Sequence, residues 1–107
     1  MKKFGQICGI DRKNALKYIE YHRNIPQKIR DLIYDCNLRN YSIFWRDNIL
    51  FTYFEYVGKD FDADMRKMEQ NADNQQWWAV VKPLMNPLEN RAEGEFWADM
   101  ELIFEQD

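Results

Sequence analysis

The sequence predicts an α+β domain: a four-stranded antiparallel sheet with helices on one face, in the ferredoxin-like β-α-β-β-α-β order. Three observations predict it. Two apolar segments rich in β-branched and aromatic residues meet at the two-residue break Asp47-Asn48, a hairpin signature. Stretches with apolar residues at helical spacing lie before and after that hairpin. A further β-type segment stands near each end of the chain. This is the split βαβ arrangement, and it leaves one face of the sheet without helices.

Residues 3–10 (KFGQICGI) read as the first strand. Asp11 follows as an N-cap whose carboxylate can accept an orphan backbone N–H, opening a helix from Arg12 to about Asn24. Pro26 removes a donor and interrupts that helix, and a second helical segment runs from about 27 to 36 with Ile29, Leu32 and Ile33 on one side. Residues 38–46 (LRNYSIFWR) and 49–57 (ILFTYFEYV) form the hairpin, and Gly58 ends its second strand. Asp60 or its neighbours open a helix with Phe61, Met65 and Met68 on one stripe. Another helix is expected from Asn74 to Lys82, with Trp77, Val80, Val81 and Leu84 at i, i+3, i+4 and i+7. Pro83 and Pro87 bracket a loop that continues to Gly94. The last strand, roughly 96–105, alternates, with Ala98, Met100, Leu102 and Phe104 facing one way.

A chain of 107 residues suits one domain over 1–107, since domains commonly run ~100 to 150 residues. Two cysteines, Cys8 and Cys36, with no CxxC are neither a disulfide framework nor a zinc ligand set, and a reducing, cytoplasmic setting is the simple reading. Fifteen Lys and Arg against eighteen Asp and Glu give a net charge of -3, which disfavours a nucleic-acid or anionic-membrane surface. No apolar run approaches the ~20 residues that span a bilayer, and Met1-Lys2-Lys3-Phe4-Gly5 is not followed by a signal-peptide core.

Four Trp, six Tyr and seven Phe stand out against a mean hydropathy of -0.71. Seventeen rings exceed what one small core readily hides, so some are expected to line a pocket or a subunit interface. Sugar sites are one natural home, because the C–H faces of a pyranose pack on flat aromatic surfaces. Residues 49–57 are apolar or aromatic on both parities, so the second sheet face is expected to be covered by loops, a subunit or both. A homodimer is the expectation, with Phe51, Tyr53, Trp45 and Trp97 assigned to the barrel and its interface.

His22 is the only histidine and stands four residues after Tyr18. The stripe Ala15, Tyr18, Ile19, His22 follows the spacing expected to face the sheet, setting a phenol and an imidazole one turn apart. Imidazole suits proton transfer in both directions near neutrality, although a lone histidine at a helix end also serves simply to cap carbonyls. Trp77 and Trp78 are helix neighbours pointing ~100° apart, so one can enter the core while the other faces a cleft. Tyr41 shares strand parity with Arg39, Ile43 and Trp45, and its hydroxyl can reach a pocket over the sheet; core or interface is the plainer role. Glu55 is a charge inside an apolar strand, more simply solvated than paired and buried. Arg39, Arg46 and Arg91 show no interpretable pattern. The four glycines are scattered, excluding a phosphate loop, and Ser42 is the only serine, without G-x-S-x-G context. A cofactor-free, metal-free pocket that moves protons on a neutral small molecule fits what remains.

The Tyr18-x-x-x-His22 helix, the Asn40-Tyr41-Ser42-Ile43 strand, Asn48-Ile49-Leu50-Phe51 with Glu55, the Gln76-Trp77-Trp78 step and the closing Met100-Glu101-Leu102-Ile103-Phe104 segment resemble the L-rhamnose mutarotase family. The likeness spans nearly the whole chain in the right order. It implies the dimeric α+β barrel version of the ferredoxin-like fold, a cytoplasmic homodimer, no cofactor, and interconversion of the α and β anomers of a 6-deoxy monosaccharide. It further implies His22 as the proton donor, with Tyr18, Tyr41, Trp77 and Trp78 binding the sugar. The chain departs from many relatives in reading His22-Arg23-Asn24-Ile25-Pro26, which keeps the proline of a Trp-Pro step and lacks its Trp. The stretches 39–44 and 94–101 look closer to a branch serving L-fucose, so L-rhamnose is the first expectation and L-fucose the alternative. From a different class, the same barrel architecture also serves non-catalytic binding of a small ligand and cofactor-free monooxygenases.

Overall fold

Three long antiparallel strands carry the β-rich segments in the computed structural model, which describes all 107 residues. Strand β1 spans Lys2–Ile10, β2 Leu38–Arg46 and β3 Ile49–Tyr56, in the spatial order β2-β3-β1. The register sets Cys8 opposite Leu50 and Phe4 opposite Phe54. Two short strands share the outer edge of β1: β4 (Met85–Asn86) beside Gly9 and Ile10, and β5 (Ala98–Met100) beside Gly5 to Ile7. At Gly9 a Cβ would lie 2.5 Å from the Asn86 carbonyl oxygen, so only glycine admits β4 at that edge.

The four helices lie over one face, as expected. They are α1 (Arg12–Arg23), α2 (Gln27–Asp35), α3 (Phe61–Gln70) and α4 (Ala72–Val81), the last running into a 3-10 turn at Lys82–Leu84. Asp60 caps α3 through Ala63 N–H. Asn71 closes α3 and caps α4 through Asn74 N–H, which starts α4 two residues earlier than its apolar periodicity suggests. Asp11 occupies the N-cap position of α1 but makes no side-chain cap; its Oδ1 instead accepts from Asn86 Nδ2 at 2.9 Å, tying the start of α1 to β4.

The end of the chain differs from its alternating pattern. Residues 83–95, expected as loop throughout, contain β4, and the last strand keeps only three of its ten expected residues. Beyond Met100 the chain has no regular structure, with Leu102, Ile103 and Phe104 exposed and Glu105 paired to Lys3 at 3.1 Å.

The core has two centres. One gathers Cys8, Ile10, Ala15, Tyr18, Leu50, Val81 and Met85 under α1 and α4. The other gathers Cys36, Leu38, Phe54, Tyr56 and Met68 under α2 and α3. In β3 the inward Leu50, Thr52, Phe54 and Tyr56 are buried, and they alternate with half-buried Ile49, Phe51, Tyr53 and Glu55 on the open face. Phe44 stands across from Phe51 on that face and is 59% exposed. Glu55 is neither freely solvated nor buried against a cation: it accepts from Tyr53 Oη at 2.7 Å and Asn40 Nδ2 at 2.8 Å, and these bonds lower its pKa. No helix is long and apolar enough to cross a membrane.

Candidate active site

Helix α1 presents Tyr18 and His22 from successive turns, with ring centroids 4.2 Å apart. His22 Nδ1 lies 2.9 Å from the Tyr18 carbonyl oxygen. A carbonyl only accepts, so Nδ1 carries the hydrogen and, in the neutral ring, Nε2 keeps its lone pair. Burial lowers the His22 pKa from its ordinary 6.5, with the carbonyl bond a partial offset. At neutral pH the ring is therefore an uncharged base whose orientation is set by its own helix.

The phenols beside it are driven the other way. Burial raises the pKa of Tyr18, with Tyr41 and Cys8 as further contributors, and burial likewise raises that of Tyr41, partly offset by the nearby Thr52 side chain. Both hydroxyls stay protonated near neutrality and act as hydrogen-bond donors. Tyr41 turns toward the helix-covered face through a β-bulge between Arg39 and Ser42, where Asn40 adopts φ 53°. The bulge breaks the simple parity of the strand: Arg39 pairs with Glu55 of the open face, while Tyr41 stacks on inward-facing Phe54 at 5.3 Å.

The two tryptophans diverge. Trp77 meets His22 edge-on, with centroids 5.1 Å apart, and is also edge-on to Tyr21. The Trp78 face lies 4.0 Å from the Lys82 ammonium, which also stands 4.8 Å over Phe96. Both indoles are half-buried against the first core centre, so the expected split between core and cleft is not clean. Lys82 has no counterpart in the sequence-based expectations.

A cavity of about 210 Å³ opens between α1 and the sheet, lined by Tyr18, Ile19, His22 and Arg23 on one side and by Ile43, Trp45 and Leu50 on the other. Tyr41, Trp77 and Trp78 are not among its walls. Trp45, assigned above to the barrel and its interface, instead faces α1. The sign of this was its parity with Ile43, two residues earlier. A larger, more open cavity of about 430 Å³ lies at the opposite end, around Gly58 and Asp64. Its acids already have structural work: Asp60 caps α3, and Asp64 accepts from Tyr56 Oη at 2.5 Å and from Asn37 Nδ2 at 3.0 Å. The smaller cavity is the one lined by the histidine.

The family model for L-rhamnose mutarotase matches residues 3–106. The chain belongs to the L-rhamnose mutarotase family. Among solved structures, this mutarotase-family chain is similar to an L-rhamnose mutarotase from Formosa agariphila, with 17% identity over the whole of both chains and a TM-score of 0.78. It is also similar to tetracenomycin F2 cyclase from Streptomyces glaucescens, a type-II polyketide cyclase, with 11% identity, all of this chain and 98% of that one covered, and a TM-score of 0.76. At such identities both likenesses speak to the fold, the ferredoxin-like sheet of the dimeric α+β barrel class. No curated protein sequence matches the chain. The cyclase shows that this architecture also carries other chemistry, so the family match, and not the fold, points to mutarotation.

Proposed function

We propose that this chain is an aldose mutarotase that interconverts the anomers of a 6-deoxy sugar, L-rhamnose first, as a cytoplasmic homodimer, with His22 moving the proton. The observation that carries the reading is the fixed, neutral imidazole of His22: Nδ1–H is held by the Tyr18 carbonyl and a free Nε2 remains beside an apolar cavity.

The chemistry follows from that protonation state. Nε2 takes the proton of the anomeric hydroxyl as a C=O bond forms at C1 and the bond from C1 to the ring oxygen breaks. The imidazolium then gives the same proton to the ring oxygen, so His22 is a donor only after it has been an acceptor. Rotation about C1–C2 turns the aldehyde, the ring hydroxyl attacks its other face, and the proton returns by the reverse path. Both oxygens are bonded to C1, so one nitrogen can serve both. Tyr18 and Tyr41, being held neutral, are suited to donate hydrogen bonds to the sugar and not to remove its protons. Trp77 buttresses the imidazole edge-on. General acid–base catalysis supplies a factor of ~10² to 10⁴, which suits a reaction already fairly quick in water.

Saturation-exchange NMR of L-rhamnose and L-fucose tests this directly. Added protein should speed the exchange between anomer signals of at least one sugar, and the faster one names the substrate. Exchange rates unchanged with both sugars would overturn the reading in favour of a non-catalytic ligand-binding dimer.

A further inference from the structure

We infer that Trp45 is a substrate-contacting residue that sets the preference for a 6-deoxy sugar; the inference rests on the mutarotase reading and assigns the outer wall of its pocket. Trp45 lies near the end of β2, across the cavity from Tyr18 and His22. Its indole Nε1–H donates to the Asp47 carbonyl at 2.7 Å, so the ring is held by the hairpin turn with no ligand needed. That turn is itself anchored, because Asp47 pairs with Arg12 at the start of α1 at 3.3 Å. The indole is nevertheless 43% exposed, a large apolar surface left open on a strand whose inward neighbour Leu50 is buried to 1%. A ring whose polar atom is already satisfied, and whose surface is open toward a cavity, is preorganised for an apolar partner.

The other walls define what that partner is. Ile19, Ile43 and Leu50 add only hydrocarbon, so the outer half of the pocket offers a methyl group or a C–H face no competing polar contact. The one charged lining residue, Arg23, makes no ion pair and leaves its guanidinium free to donate to hydroxyls on the opposite edge of the sugar. An unsubstituted C6 methyl fits against Trp45, whereas a C6 hydroxyl there would lose water and find no hydrogen-bond partner.

Trp45→Ala and Trp45→Phe are compared with wild type by anomer-exchange kinetics on L-rhamnose and on its 6-hydroxy counterpart, L-mannose. Trp45→Ala should raise KM for L-rhamnose by about tenfold with kcat little changed, the pattern of lost binding common to ground and transition states. Its kcat/KM ratio between the two sugars should fall toward one, and Trp45→Phe should restore most of that ratio. Unchanged KM and unchanged ratio in a folded Trp45→Ala protein would overturn the assignment, as would a variant that dissociates into monomers while its remaining activity keeps the wild-type KM. Wild-type protein that accelerates none of L-rhamnose, L-mannose and L-fucose would overturn the mutarotase reading itself, an outcome distinct from an active enzyme indifferent to Trp45.

Discussion

The lone histidine is the residue on which the proposed chemistry turns, and its environment sets the expected response of activity to pH. Catalysis needs a free Nε2 lone pair, and burial holds the His22 pKa below 6.5. Activity should therefore be flat above pH 6.5 and fall only as acid reaches the lowered folded pKa, which a kcat/KM profile would show. Stability follows the same sign. An unfolded histidine binds its proton near ~6.5 and the folded one only at lower pH, so the contribution is complete above 6.5 and is lost as pH falls below it. His22→Gln should remove that acid slope in denaturation experiments and cut exchange by roughly 10² to 10⁴. Cys8, whose thiol burial pushes to about 11, should resist alkylation in the native protein and react on unfolding. The Tyr18–His22 pair was legible in the sequence because helical spacing alone brings it together. Tyr41 was only half legible: its place depends on a bulge at Asn40 that no strand pattern announces. Trp45 went astray because an exposed aromatic on an edge strand reads equally as pocket or interface until the helix opposite it is placed.

At the scale of elements, the strands and helices followed from periodicity and their ends did not. The start of α4 was hidden because Asn71 ends one helix and caps the next, leaving no linker to read. Asp11 looked like a cap, yet its carboxylate is taken by Asn86, a partner 75 residues away. The final strand was overestimated because Leu102 and Phe104 continue an apolar alternation that pairs with nothing in the single chain. Asn74 joins α3 to α4: its side chain is 1% exposed and Nδ2 donates to the Met68 carbonyl at 3.0 Å. Asn74→Ala removes that bond and leaves the Met68 carbonyl only the Asn71 N–H at 3.3 Å, and should cost about 1 kcal/mol in urea denaturation, with exchange activity retained. Gly9→Ala, which drives a methyl into the Asn86 carbonyl, should loosen β4 and be seen as faster amide exchange at Asn86.

The whole molecule leaves an apolar sheet face uncovered. Phe44, Phe51, Tyr53 and Ile49 stand on it, with Met100 half exposed at its margin, and such surface is rarely left to water in a small domain. A second copy is the proposed cover, so sedimentation at micromolar concentration should give about 26 kDa, twice the chain mass of 13.1 kDa. Phe51→Glu should shift it to monomer, because a carboxylate at the centre of that face would be buried unpaired. The double-parity aromatic pattern of residues 49–57 already implies an apolar second face. The pattern could not show which rings belong to which side of the barrel.

The divided core has one more consequence. The proposed chemistry sits over the centre built on Ala15, Tyr18 and Leu50, while Leu38, Phe54 and Met68 pack at the other end of the same sheet and do not line the cavity that holds His22. Substitutions around Met68 should therefore change stability while the cavity that holds His22 keeps its walls. Stability and the proposed activity are thus carried by separate core centres in a domain of only 107 residues.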